Sequence, residues 1–473
     1  MYVSNGYVFY ALTYLELFPD YTCPKGYPDK CDQAARCKDP VNVQIDWTSH
    51  RSLHNWVETL SLECAESYKI GLLGSMYFAG WTVSCIFVPR LSDLYGRKWP
   101  VLISSIASVA IYTGLILSRN INLSIALFFL LGLGCTGKSS TLYVYMLELV
   151  PSNRQTYVGT YMLFADGSTM ILLSLYFRFI SNDWFWFQLY GVIATGVSTA
   201  ACFIIPESPK FYVSYKKYQQ AKDGIAFIAK FNRSYFVHQN YKFEAEVADL
   251  MKSQTQIQQT QVDMNLTAMK QTQEDEALSG SIKELLRNRR HFINLLIVLL
   301  LWIVSSFDYF LINFQLKYIE GDIYINTIVS SVSEVTAYII SGALYETIGT
   351  KVSFVSSFCI AIVGSIFYII FGTTAKNLVP VMVLGSKFGV SAAFNLVYLA
   401  NTLFPPIYAS TTMGFFNAFA RLASMLAPQF AEFDRPIPMI IFCIMAGLAC
   451  VFSFFLRTQA SKNSQIQSKT QSP

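Results

Sequence analysis

The chain has 473 residues, 53% of them hydrophobic and only 14% charged, with a formal net charge of +5. Soluble domains carry about a quarter charged residues, so a soluble globular protein is excluded. The charge is bunched and leaves apolar runs of roughly 20 residues, enough for a helix to cross a hydrocarbon core about 30 Å thick. Lipid cannot satisfy backbone polar groups and the short alternating segments of a β-barrel are absent, so the fold class is an all-α polytopic membrane protein. The basic residues fall mainly in loops, a mark of membrane topology rather than of nucleic-acid binding.

Residues 1–18 open the chain with an apolar, aromatic run, Tyr7 to Leu15, too short to cross; it reads as the last part of a first helix. No basic n-region or small-residue cleavage site marks a signal peptide. Loop 19–67 follows and holds Cys23, Cys31, Cys37 and Cys64, while the other six cysteines lie in apolar runs. Four clustered cysteines in a polar loop fit two disulfides, with three connectivities open. Without a CxxC pair or a well-spaced histidine, no metal site is expected.

Eleven full spans are predicted near 68–88, 100–118, 123–147, 156–179, 184–205, 292–313, 324–344, 352–372, 379–403, 410–430 and 437–456. Counting the first partial helix, they divide the chain into a first half over 1–205, a soluble insertion over 206–291, a second half over 292–456 and a tail over 457–473. In the insertion, Ser208-Pro209 signals a helix start, and residues 253–277 are rich in Gln and Thr. Arg90, Arg97, Lys98, Arg154 and Lys351 fall on one side with the insertion and the tail, which the positive-inside rule makes cytosolic. The cysteine loop 19–67 is then extracellular or lumenal, in agreement with disulfides.

The halves echo one another. The loop after span 2 reads Pro89-Arg-Leu-Ser-Asp93-Leu-Tyr-Gly96-Arg97-Lys98, and the loop after span 8 reads Gly342-Ala-Leu-Tyr-Glu346-Thr-Ile-Gly349-Thr-Lys351. The end of span 4, Glu148-Leu-Val-Pro151-Ser-Asn-Arg154, is matched at the end of span 10 by Thr402-Leu-Phe-Pro405, without the acid or the arginine. Two equivalent six-helix halves are how alternating-access carriers place one site at a pseudo-symmetry axis.

The first of these loops resembles the signature loop of the major facilitator superfamily. Pro206-Glu207-Ser208-Pro209-Lys210-Phe211, Ser333-Glu334-Val335, Gly385-Ser-Lys387-Phe-Gly389 and Arg421-Leu-Ala-Ser-Met-Leu-Ala-Pro428 resemble segments of its organic cation, anion and carnitine transporter family. The resemblance implies a multi-pass secondary carrier of a small organic ion in the plasma membrane. Its expected partners are the solute, the lipid bilayer and a coupling ion or exchanged solute, with no cofactor and no enzymatic activity. It also implies a cytosolic gating latch of Asp93, Gly96, Arg97, Lys98, Glu148, Arg154, Glu207 and Glu346, whose pairs would join the halves when the carrier faces outward. The competing reading makes Arg97, Lys98 and Arg154 topology-setting charges only.

Ionisable residues inside spans are costly and point to function. Depth along the helices places Asp166, Glu334 and Arg421 near the midplane, Lys138 towards the cytosolic side, Lys387 in the outer half of helix 10 and Asp308 near the outer end of helix 7. With Trp302 and Tyr398, these six are the candidate solute-binding residues. In the family's fold, helices 1, 4, 7 and 10 line the cavity, which favours Lys138, Asp308 and Lys387. Arg421 matches a position that is basic in anion-handling members, so an organic anion or zwitterion is expected. The competing reading is structural neutralisation, Lys138 with Asp166 and Glu334 with Arg421. A sugar carrier of the same superfamily is the nearest alternative, although helix 7 offers only Gln315, near its end, where a hexose site expects paired glutamines. A receptor-like or inactive homologue is the alternative of a different class.

Overall fold

The computed structural model describes residues 4, 6–25, 31–151, 154–234, 241–244, 246–247, 289–319, 322–372, 374–375, 378–404 and 409–457. The Gln/Thr-rich stretch 253–277, Pro405 and the basic tail beyond 457 lie outside the described residues. The apolar runs form helices α1 (Gly6–Leu15), α2 (Ser67–Tyr95), α3 (Lys98–Leu117), α4 (Ile121–Leu149) and α5, which joins Gln155–Gly167 to Thr169–Leu175. They continue with α6 (Trp184–Ile204), α7 (Arg289–Gln315), α8 (Ile323–Ile348), α9 (Thr350–Phe371), α10 (Val379–Leu399), α11 (Ala409–Ser424, then Ala427–Ala431) and α12 (Ile437–Ser453). Ile86, Ile103, Val197 and Ile444 stand exposed on the helix faces, as side chains meeting lipid would.

Among the described residues, eight helices are unbroken, long and apolar enough to cross a membrane, against the eleven predicted. The difference lies in α5, α11 and α12. α5 is interrupted at Ser168 and ends in a π turn over Tyr176–Ile180. In α11 the chain turns between Ser424 and Ala427 ahead of Pro428, which has no N–H to continue the ladder. α12 spans 17 residues. A second π turn, Gly137–Thr141, sits inside α4.

The even-numbered helices start at the end of the bundle that carries loop 19–67, and three of them are capped there. The side chains of Asn120, Asp183 and Asp322 accept hydrogen bonds from the first backbone N–H groups of α4, α6 and α8. α2 and α4 approach so closely that a Cβ on Gly80 would lie 2.1 Å from the Phe129 carbonyl oxygen, and one on Gly132 equally close to that of Tyr77. The largest core cluster draws on both halves, with Phe9 of α1 stacked on Tyr77 at 4.4 Å and edge-on to Phe310 and Phe314 of α7. A second cluster around Trp302, Phe354 and Phe416 belongs to the second half alone.

Loop 19–67 is tied by disulfides Cys23–Cys31 and Cys37–Cys64 and by a two-stranded pairing of β1 (Tyr21–Thr22) with β2 (Gln44–Ile45). Its buried Asn55 fastens it to α1, donating from Nδ2 to the carbonyls of Tyr14 and Leu17 at 2.8 Å each. At the opposite end, a helix over Pro209–Ser214 and one over Tyr218–Phe231 follow α6.

Candidate functional site

At the centre, the short helix α1 inserts Tyr10 between the halves. Its hydroxyl donates to Asp166 Oδ2 of α5 at 2.9 Å and lies 3.4 Å from the Tyr309 hydroxyl of α7. Tyr309 in turn donates to Glu334 Oε1 of α8 at 2.7 Å, and Tyr338 donates to the same oxygen at 2.9 Å. The other oxygen, Glu334 Oε2, pairs with Lys387 Nζ of α10 at 3.0 Å. Lys387 Nζ also donates to Asn313 Oδ1 at 2.8 Å and lies 3.6 Å from the centroid of the Tyr309 ring. Both members of this ion pair are buried, a setting where charge is tolerated only when paired and hydrogen-bonded.

Arg421 of α11 is held differently. Its guanidinium carbon lies 3.7 Å over the Trp81 ring of α2 and 5.5 Å from Phe310, and the side chain is buried. Among the described residues, Nε and Nη1 have no hydrogen-bond partner. An indole face can hold a desolvated cation with about 2 kcal/mol or more, but it leaves the N–H groups unsatisfied. Trp81 and Phe310 also line a cavity of about 50 Å³ with Tyr10, Tyr77, Ser139 and Asp166. That volume holds a few waters and lies well below the roughly 300 Å³ of a pocket enclosing an organic molecule.

The sequence candidates therefore divide. Asp166, Glu334, Lys387 and Arg421 gather around one centre, with Tyr398 beside it through its edge contact with Phe394, itself stacked on Tyr309. Trp302 is packed inside the second half, edge-on to Tyr398 and stacked on Phe416. Lys138 is buried at the π turn of α4, and no carboxylate among the described residues lies within ion-pair distance of it. Asp308 is buried, both its oxygens lacking a hydrogen-bond partner among the described residues, and it does not line the cavity. Neither structural pairing holds: Glu334 takes Lys387 rather than Arg421, and Asp166 takes Tyr10 rather than Lys138. Pairing depends on which way each helix is rotated, and depth along the helix does not report it. Sequence reasoning left out Tyr10, Trp81, Asn313 and Tyr338, uncharged side chains that gave no signal against an aromatic-rich background.

At the end of the bundle opposite loop 19–67, Arg97 Nη1 meets Asp93 Oδ1 at 2.5 Å, and Arg97 Nε stands 3.5 Å from Glu148 Oε2. Glu207 accepts from the backbone N–H groups of Arg97 at 2.9 Å, Lys98 at 3.0 Å and Ser208 at 2.8 Å. Lys98 Nζ donates to the Phe203 carbonyl, and Arg154 and Glu346 are exposed. These pairs form a brace within the first half and the segment following it; none of them joins the two halves in this conformation, whereas the expected inter-half latch belongs to the conformation that faces outward. Gly96 makes this brace possible, with φ at +101° and room for no Cβ, which would stand 2.3 Å from Glu207 Oε2. Gly96→Ala should lower stability by about 1–3 kcal/mol, read as a lower thermal midpoint in detergent. An unchanged midpoint would remove the brace.

At the loop 19–67 end, the halves are joined by charge. Lys317, just past α7, lies 2.6 Å from Glu16 Oε2 beyond α1 and 2.7 Å from Glu432 Oε1 between α11 and α12. Arg178 reaches Asp322 at 3.9 Å. Arg51 donates to the Lys317 carbonyl at 2.9 Å, and Tyr324 donates to the His50 carbonyl at 2.7 Å.

The model of the family described as Major Facilitator Superfamily matches residues 57–428. Organic cation/carnitine transporter 2 of Homo sapiens is 24% identical over 403 residues, covering 84% of this chain and 68% of that one. Organic cation/carnitine transporter 4 of Arabidopsis thaliana is 23% identical over 438 residues, covering 89% and 78%. Among solved structures, the inward open conformation of the xylose transporter XylE from E. coli is similar with a TM-score of 0.61 at 13% identity, covering 97% of this chain and 95% of that one. Its partially occluded inward open conformation gives 0.60 at 14%, covering 97% and 98%.

Proposed function

Because the chain belongs to the Major Facilitator Superfamily, a family of transporters rather than enzymes, we propose that it carries a small organic ion, an anion or zwitterion, across the membrane by alternating access. The observation that carries this reading is Arg421, a buried cation whose Nε and Nη1 have no hydrogen-bond partner among the described residues. A carboxylate supplied by the solute would satisfy those donors, which a neutral sugar cannot do with charge. The acids beside it fit the other end of a zwitterion. Asp166 lines the cavity and keeps Oδ1 clear of the Tyr10 bond, and Tyr10, Tyr77 and Phe310 offer ring faces to a cationic group. The relatives named for organic cations and carnitine agree with this pairing of charges.

In this reading the halves separate to admit and release solute, which the central cavity of about 50 Å³ is too small to enclose. The helix ends at loop 19–67 are interlocked in this conformation, which corresponds to a carrier closed on that side. By the distribution of basic loops that side is extracellular and the insertion is cytosolic; the family resemblance implies the plasma membrane. Lys138, Asp308 and Trp302 are assigned to the frame of the helices rather than to solute contact.

Uptake into proteoliposomes of a labelled zwitterion (carnitine), an organic anion, an organic cation and a hexose tests the reading. Saturable uptake of a carboxylate-bearing solute with none of the hexose is expected. Hexose uptake alone would overturn it in favour of a sugar carrier.

A further inference from the structure

We propose that the triad Glu16–Lys317–Glu432 is a buried charge latch closing the loop 19–67 side of the centre, and that separation of Glu16 from Lys317 opens it. This rests on the alternating-access reading and adds the element that governs access from one side. The side chains of Glu16, Lys317 and Glu432 are 2%, 1% and 6% exposed. Glu16 belongs to the first half, and Lys317 and Glu432 to the second. Within the triad, the Lys317–Glu16 contact of 2.6 Å therefore crosses between the halves, beside the Arg178–Asp322, Arg51–Lys317 and Tyr324–His50 contacts, and the Lys317–Glu432 contact of 2.7 Å is internal to one half.

The surroundings fix Lys317 rather than the link. Tyr318 donates to Glu432 Oε2 at 2.5 Å, and the Lys317 ammonium lies 5.0 Å from the Tyr318 ring. When the halves part, Lys317 keeps its own partner in the second half and Glu16 enters water, where a carboxylate is fully solvated. A dry ion pair of this kind resists partial separation but tolerates complete separation with hydration, which is what a two-state gate requires. Glu16 lies about 9 Å along the chain axis from Tyr10. Between them Thr13 is buried, its hydroxyl 3.4 Å from the Asn313 carbonyl oxygen across the interface, and Asn313 carries Lys387. The latch thus stands over the central network with one buried turn between.

The experiment reads access, not transport. Thr13→Cys in the full chain is labelled with a membrane-impermeant maleimide applied from the loop 19–67 side, with the chain lacking that substitution as background for the native thiols. Thr13→Cys alone should label slowly. Adding Glu16→Ala, which leaves Lys317 paired with Glu432, should raise the labelling rate by about tenfold, the scale of release of a minor conformer. Adding Glu432→Gln instead, which keeps the link between halves, should leave the rate near that of Thr13→Cys alone. Equal labelling with and without Glu16→Ala would overturn the latch, and so would equal acceleration by both substitutions, which marks general loosening. Acceleration by Glu16→Ala alone in a protein that moves none of the four solutes would support the latch while refuting the transport reading.

Discussion

Arg421→Ala should lower uptake of a carboxylate-bearing organic ion by roughly 30-fold or more, since truncating one partner of a buried charge pair costs about 2–5 kcal/mol. The loss should fall mainly on KM, because the guanidinium is proposed to bind the solute in the ground state. Arg421→Lys should retain part of the uptake: charge survives, but the flat group that stacks on Trp81 at 3.7 Å does not. Trp81→Leu should weaken the same solute by at most about 30-fold, the scale of a desolvated cation–π contact of about 2 kcal/mol. Concentration-dependent uptake, normalised to protein inserted in proteoliposomes, measures all three. Identical kinetics for the parent protein, Arg421→Ala and Arg421→Lys would take Arg421 out of the site.

Lys387→Met should be as severe, for another reason. It strands Glu334 in a buried setting where Tyr309 and Tyr338 supply hydrogen bonds but no opposite charge. Breaking a buried ion pair from one side costs about 3–5 kcal/mol, while removing both partners together is close to neutral. Lys387→Met should therefore lower the thermal midpoint of the purified protein more than the double substitution Glu334→Gln with Lys387→Met does. Transport should be lost in both, because the network from Tyr10 to Asn313 no longer holds the Lys387 ammonium. If the double substitution is as unstable as the two single effects summed, Glu334 and Lys387 are not coupled.

The membrane helices were legible because hydropathy over 20 residues is a thermodynamic property of the segment itself. Their interruptions were less so: Pro428 could announce the turn in α11, but the breaks in α5 have no proline to mark them. Charge inside an apolar run identified Asp166, Glu334, Lys387 and Arg421, since such residues persist only for a reason. Choosing their partners needed the rotation of each helix, and the midplane depths shared by Glu334 and Arg421 favoured a pair that does not form. Asp308 and Lys138 carry the same sequence signal as the central four, yet they sit in packed helix interiors. Burial alone does not separate a solute contact from a structural charge. The triad of Glu16, Lys317 and Glu432 went unnoticed because charges at span ends read as interfacial. A signal was present at two of its members, flanked as they are in Leu15-Glu16-Leu17 and Leu316-Lys317-Tyr318.

The π turn over Gly137–Thr141 gives α4 a property that a straight helix lacks. It inserts one extra residue into a single turn, and one residue corresponds to about 100° about the helix axis. Relaxation of that turn to α-helical geometry would swing everything from Leu142 to Leu149 around the axis as a unit. Glu148 would leave Arg97, and Tyr145 would leave the Pro206 carbonyl that its hydroxyl now holds. Such a relaxation would make α4 a rotary joint rather than a strut, with the buried Lys138 inside its bearing.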